Sequence, residues 1–254
     1  MTVSLSRRVL AEFVGTALLV AVVVGSGIAA SRLSPNQIGL ELLENSLVTA
    51  LGLATLILAF GPVSGAHFNP VVSAADWFVG RRADSGLTPT EVVAYSAGQI
   101  AGAIGGAILA DGMFGVALVK FSGHDRSDQH LLLGEVVATG GLVFLIFAVV
   151  NSGRAAVAAP AVGAYIGAAY WFTSSTSFAN PAVTVGRAFT DTFAGIQPSS
   201  VPGFVCAQIV GAAVGVGLLF ALYPMPERGA DQVVVPHQEL TAANSTVAEP
   251  GSIR

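Results

Sequence analysis

Two asparagine–proline pairs, Asn69-Pro70 and Asn180-Pro181, stand inside an apolar chain, each behind small and polar residues and ahead of a short apolar stretch. Asparagine is a favoured helix cap, and proline at the first helical position lacks the N–H that would otherwise go unpaired. Each pair therefore predicts the start of a helix. The side-chain amides, with the carbonyls of the preceding loops, would offer hydrogen bonds to a neutral polar molecule. A single pair is most simply an ordinary helix start on a loop, but two at matched places in one chain predict a shared device.

Few other side chains could do chemistry. Glu12 and Glu135 each open a long apolar run. An ionisable residue at membrane depth is a functional candidate by default, and in a proton-coupled transporter either carboxylate could relay protons. No further intramembrane Asp, Glu or Lys continues such a relay, which favours a structural role. His67 has no second His or Cys nearby in sequence, so it reads as lining or packing a loop, and no metal site or cofactor is expected. Cys206 is the single cysteine, so no intrachain disulfide can form. No nucleophile, base and orienting group cluster in sequence, and no enzymatic activity is expected.

These residues must be positioned by membrane-spanning elements. The 254 residues are 53% hydrophobic and only 10% charged, with a mean hydropathy of +0.73, whereas soluble globular chains carry about a quarter charged residues. That excludes a water-soluble globule, a disordered chain and a disulfide-rich secreted scaffold. A net charge of −4 gives no case for a nucleic-acid partner. A spanning helix needs about 20 apolar residues, and six stretches qualify: Val9–Ala30, Leu47–Phe60, Val92–Val116, Leu131–Val150, Ala155–Phe172 and Gly203–Tyr223. The second must begin near Leu42 to cross. The first follows Arg7 and Arg8 as a signal peptide would, but its apolar run exceeds a signal core of about 7–15 residues.

With six crossings both termini share one side. If that side is cytoplasmic, the inner segments hold Arg7, Arg8, Arg81, Arg82, Arg154, Arg228 and Arg254, and the outer ones Arg32, Lys120, Arg126 and Arg187. Seven against four favours cytoplasmic termini in a multi-pass plasma-membrane (inner-membrane) protein.

The chain also repeats itself. Glu135 follows Glu12 by 123 residues, Asn180 follows Asn69 by 111 and Gln208 follows Gln99 by 109, each within a similar local sequence. Three ordered matches indicate a duplicated three-span unit, residues 1–116 and 131–223, joined by an outer loop at 117–130. Because three is odd, the second copy enters from the opposite face, and equivalent elements meet at the midplane. Gly61-Pro62-Val63-Ser64-Gly65 and Thr173–Ser177 would break the helices, and Val71–Val79 and Ala182–Phe189 are too short to cross. Irregular backbone at such depth is tolerated only where protein buries it or a wet cavity receives it. Two half-helices with their positive N-terminal ends near the centre would oppose cations. Residues 224–254 lose apolar periodicity and read as a disordered cytoplasmic tail.

On these motifs, Ala11-Glu12-Phe13-Val14-Gly15-Thr16, Ser64–Pro70, Gly134-Glu135, Ala179–Ala182, Gln99 and Gln208, the chain resembles the major intrinsic protein family, the aquaporins and aquaglyceroporins, over nearly residues 5–223. The resemblance implies an all-α membrane protein with six transmembrane helices, two half-helices and inverted three-helix repeats. It implies a homotetramer in the lipid bilayer, with one pore per subunit for small neutral solutes. The pore motif would be Asn69, Pro70, Val71, Asn180, Pro181 and Ala182, with Val71 replacing the family's usual Ala. Glu12 and Glu135 would each support the half-helix loop of their own repeat, and Gln99 and Gln208 would assist them.

By the family's spacings the selectivity filter falls on Thr49, Ala168, Ser177 and Val183, with Val183 where an Arg is typical. All four are small or medium and uncharged, which predicts a constriction that is wider, less positive and less able to exclude protons. Thr184 and Ala188 lack the Asp and basic residue common in glycerol channels. An arginine-free filter resembles bacterial members linked to metalloids such as undissociated arsenous acid. Arg187, four residues beyond Val183, either lends charge to the outer vestibule or faces loop and headgroups.

Overall fold

A computed structural model describes residues 3–81 and 85–223. The expected tail and Arg82 lie outside the described residues. The described residues form α1 (Leu5–Leu33), α2 (Ile38–Ser64), α3 (Pro70–Gly80), α4 (Pro89–Met113), α5 (Gln129–Asn151), α6 (Ala158–Phe172), α7 (Pro181–Arg187) and α8 (Val201–Leu222). Short 3-10 turns, Ala155–Val157 and Pro198–Ser200, lead into α6 and α8. With those turns, α1, α2, α4, α5, α6 and α8 are long and apolar enough to cross a bilayer.

Several boundaries differ from the apolar count. The second span begins at Ile38 and passes through Pro62, ending only where Gly65 turns left-handed at φ 87°. Pro62 sits in the last turn, where losing one N–H interrupts little of the ladder, and glycine at the helix end takes the left-handed conformation without a Cβ penalty. The third span starts earlier than hydropathy suggests because Thr88 and Glu91 form a reciprocal capping box around Pro89. Arg8 and Glu91 then pair across α1 and α4. At the end of α7, the backbone N–H of Ile196 bonds to the carbonyl of Arg187, and the chain folds back instead of continuing to Phe189.

In lipid, helices associate through close packing, because hydrocarbon is as apolar as the side chains. Small residues on α4 and α8 answer that need. A Cβ on Gly102 would lie 2.2 Å from the Phe13 carbonyl oxygen, and one on Gly106 would lie 2.1 Å from that of Ala17. On α8, Gly211 and Gly215 meet the backbones of Val136 and Gly140 in the same way. The pairs α1–α4 and α5–α8 are thereby drawn together, and α2 packs on α6 across Gly163 and the Ala50 carbonyl. The two half-helices are enclosed by these spans, while large apolar side chains such as Leu10, Leu51, Leu133 and Ile209 remain on the outside to face lipid.

Gly106→Val should separate α1 from α4 and destabilise the fold by at least about 1–3 kcal/mol. Gly105→Ala, whose added Cβ meets nothing within 4 Å, should leave the thermal unfolding of the detergent-solubilised protein unchanged, and comparing the two melts checks the assignment.

Candidate pore

The loops ahead of the half-helices hold unusual backbone. Ala66 and Phe68 in the first, and Thr176, Ser177 and Ala179 in the second, are non-glycine residues at positive φ. Each costs roughly 1–2 kcal/mol relative to a right-handed residue, so the surroundings must enforce the conformation. Two buried carboxylates do so. Glu12 Oε1 accepts hydrogen bonds from the His67 backbone N–H (3.0 Å) and the Ser64 hydroxyl (2.6 Å). Its Oε2 accepts from the Phe68 N–H (2.6 Å) and Gln99 Nε2 (2.7 Å). Glu135 repeats the arrangement, with the Phe178 and Ala179 N–H groups at 2.9 and 2.8 Å and Gln208 Nε2 at 2.6 Å.

The asparagines then join the repeats. Each side-chain oxygen caps its own helix: Asn69 Oδ1 accepts from the Val71 N–H, and Asn180 Oδ1 from those of Ala182 and Val183. Pro70 and Pro181 occupy the first helical positions. Asn69 Nδ2 donates to the Ala179 carbonyl at 2.8 Å, and Asn180 Nδ2 donates to the Phe68 carbonyl at 2.7 Å. Each NH2 group has two hydrogens. One is used in this reciprocal clasp, which leaves the other for a solute in the cavity that both asparagines line.

Ser73 goes unmarked in the sequence and Thr184 is marked only by lacking the Asp of glycerol channels, yet the two complete the network. Each lies four residues after its asparagine and donates to that asparagine's carbonyl, and each accepts from Gln99 or Gln208. The equal offset of four is the readable signal. Asp76 and Asp111 also escape a reading by motif. Asp76 accepts the Leu87 N–H, and Asp111 accepts the Thr190 hydroxyl; neither lines the cavity.

The cavity is lined by polar groups of the loops and asparagines and by apolar helix side chains, among them Leu19, Leu53, Ile57, Leu142, Ile146 and Val162. Thr49, Ser177 and Val183 line it, as does His67, whose Nδ1 lies 3.1 Å from Ser73 Oγ. Val71, by contrast, is buried in α3 behind the amide. Ser177 Oγ is buried without a protein partner among the described residues.

Ala168 is a correction. It is exposed on α6 and absent from the lining, whereas Val162, Ile166 and Tyr170 line the cavity. Residues four apart share a helix face, and position 168 lies about 200° around from 166. A fixed count back from Asn180 ignores that phase. Tyr170 instead fills this place, donating its hydroxyl to Thr49 Oγ1 at 3.3 Å. Arg187, which the sequence leaves open between the vestibule and the headgroups, is 2% exposed and belongs to the lining. Its guanidinium carbon lies 3.4 Å from the centroid of Phe178, another lining residue missed in sequence.

Two half-helices clasped between six spans, beside a cavity lined by both loop amides and apolar helix side chains, define a channel of the inverted-repeat class. Residues 1–176 and 156–250 match the major intrinsic protein family, and the chain belongs to it. It is 47% identical over 215 residues to the aquaglyceroporin AqpS of Rhizobium meliloti (strain 1021), covering 85% of this chain and 89% of that protein. It is 30% identical over 255 residues to the glycerol uptake facilitator protein of Pseudomonas aeruginosa, covering 85% and 88%. The aquaglyceroporin structure from Plasmodium falciparum shares the fold at a TM-score of 0.61, with 20% identity over 91% of this chain and 97% of that one.

Glu135→Gln replaces an acceptor with an NH2 group facing backbone N–H donors, which should cost about 1–3 kcal/mol. Less protein should assemble, but flux per folded molecule should persist and should not respond to a proton gradient. Flux normalised to folded protein, with and without that gradient, checks this.

Proposed function

We propose that this chain is a passive channel for water and small neutral solutes, either glycerol-like polyols or undissociated metalloid acids such as arsenite. The reciprocal asparagine clasp carries this reading. It sets two spare amide donors in a cavity also lined by apolar side chains, so a hydroxylated solute finds hydrogen bonds from the amides and apolar contact from the helices. Val183, short and uncharged where the family places an arginine, supports a wider aperture at that level, with the Tyr170 hydroxyl on Thr49 forming part of its wall. The glycerol uptake facilitator and aquaglyceroporin names of the relatives support solutes of this class.

A proton-coupled transporter using Glu12 or Glu135 is the competing reading. Both carboxylates are outside the cavity lining, with every oxygen already accepting hydrogen bonds. A relay group must exchange its partners, and these hold the loops in place, so the channel reading accounts for them better. Catalysis has no part in the proposal. The working form would be a homotetramer in the plasma membrane with both termini cytoplasmic. Each subunit would comprise the repeats 1–116 and 131–223 around its own pore.

Stopped-flow light scattering of proteoliposomes should show water, glycerol, urea and arsenite entering faster than in empty vesicles. Flux of water alone would overturn the wide aperture, and flux of none would overturn the channel. Val183→Arg should narrow the same point and slow glycerol by on the order of tenfold or more, while water continues to cross.

A further inference from the structure

The cavity lining contains one formally charged side chain among the described residues, and it is Arg187. Its position is built. Nε donates to the Ala194 carbonyl, the guanidinium lies over the Phe178 ring, and the backbone carbonyl receives the Ile196 N–H. The segment after α7 thus returns over the helix end and fixes the group from two directions. No hydrogen-bond partner takes the terminal nitrogens, and no carboxylate pairs with Arg187 among the described residues, where the ion pairs are Arg8–Glu91 and Lys120–Asp191. Arg126 adds to the field. Its guanidinium carbon lies 5.0 Å from the same Phe178 centroid, and its Nε donates to the Gly195 carbonyl. It too lacks an acidic partner among the described residues.

We propose that Arg187 is the charge filter of this pore, displaced one helical turn outward from the aperture at Val183, so that size selection and cation exclusion are performed by different residues. The proposal rests on the channel reading above. Four residues of helix separate the two levels by about 6 Å. At Val183 the side chain is short and neutral, so its level admits bulk. At Arg187 an unpaired positive charge between low-permittivity walls meets any solute on the same route. A neutral molecule can accept hydrogen bonds from the free guanidinium nitrogens, whereas a cation is repelled and loses hydration without compensation. Weaker exclusion of cations, expected from Val183 alone, is therefore reversed.

Urea and guanidinium ion make the test, because they are nearly the same planar shape and differ in charge. Wild-type proteoliposomes should admit urea and exclude guanidinium. Arg187→Gln, whatever its absolute urea flux, should raise the ratio of guanidinium to urea flux on the order of tenfold or more. Arg187→Lys, which keeps the charge and loses the planar stack, should restore exclusion. Should the Gln variant fail to assemble, Val183→Glu places a carboxylate one turn from the guanidinium and should likewise admit the cation. Continued exclusion of guanidinium by a urea-conducting Arg187→Gln or Val183→Glu channel overturns the displaced filter. Failure of the wild type to pass urea, glycerol or water overturns the channel reading instead.

Discussion

The structure depends on two buried carboxylates that hold irregular backbone at membrane depth. Loop amides there have no water to bond, and each unsatisfied group would cost several kcal/mol. Glu12 takes two backbone N–H groups and Glu135 takes two, each with a glutamine closing the remaining side. Carboxylates can take several donors at once without offering one, as an amide would. With the loops fixed, Phe68 and Ala179 point their carbonyls at the opposite asparagine, and the clasp results. If the carboxylates lost these donors, the left-handed residues would have no reason to persist, and the half-helices would have no fixed starting points.

The clasp also explains the division of labour inside the cavity. Backbone polar groups come from the loops, because only there does the chain leave its own carbonyls and amides unspent. The spanning helices use theirs internally, so they contribute mainly apolar side chains to the wall. Ser177 Oγ, buried in this lining without a protein partner among the described residues, adds to the polar groups. Multiple weak hydrogen bonds of this kind allow release as well as entry, which passive conduction requires.

Much of this is legible in the sequence. The family, the six spans and the two half-helices emerge from composition, the ordered repeat matches and the paired Asn-Pro motifs, because those features depend on local backbone chemistry and on hydropathy. The placement of Glu12, Glu135, Gln99 and Gln208 agrees with the resemblance. Ser73 and Thr184 are readable through their common offset but are small, and nothing else marks their place in the network. Ala168 fails because a count taken through a non-helical loop loses the phase of the helix before it, and only the spacing of Val162, Ile166 and Tyr170 restores it. The start of α4 escapes the apolar count because its charged first turn is capped and paired, which hydropathy does not measure.

Arg187 is the position that sequence leaves open, and its outcome depends on tertiary structure. A guanidinium seven residues beyond Asn180 could reach headgroups if α7 continued outward, since its long stem snorkels readily. The helix stops at Arg187, however, and Ala188 and Ile196 turn the chain back over its end. Ala194 and Phe178 then supply a carbonyl and a ring face for the cation. Three contacts from two separate segments are needed, and none leaves a periodic trace in sequence. The short α7 and its returning loop therefore bring a cation to that end of the cavity, whereas the segment after α3 also turns back, its Ser85 N–H on the Gly80 carbonyl and its Leu87 N–H on the Asp76 carboxylate, but leaves no charged side chain in the lining among the described residues. The two halves share one scaffold of carboxylate, amide and proline, and the asymmetry of the pore arises from the different segments into which α3 and α7 lead.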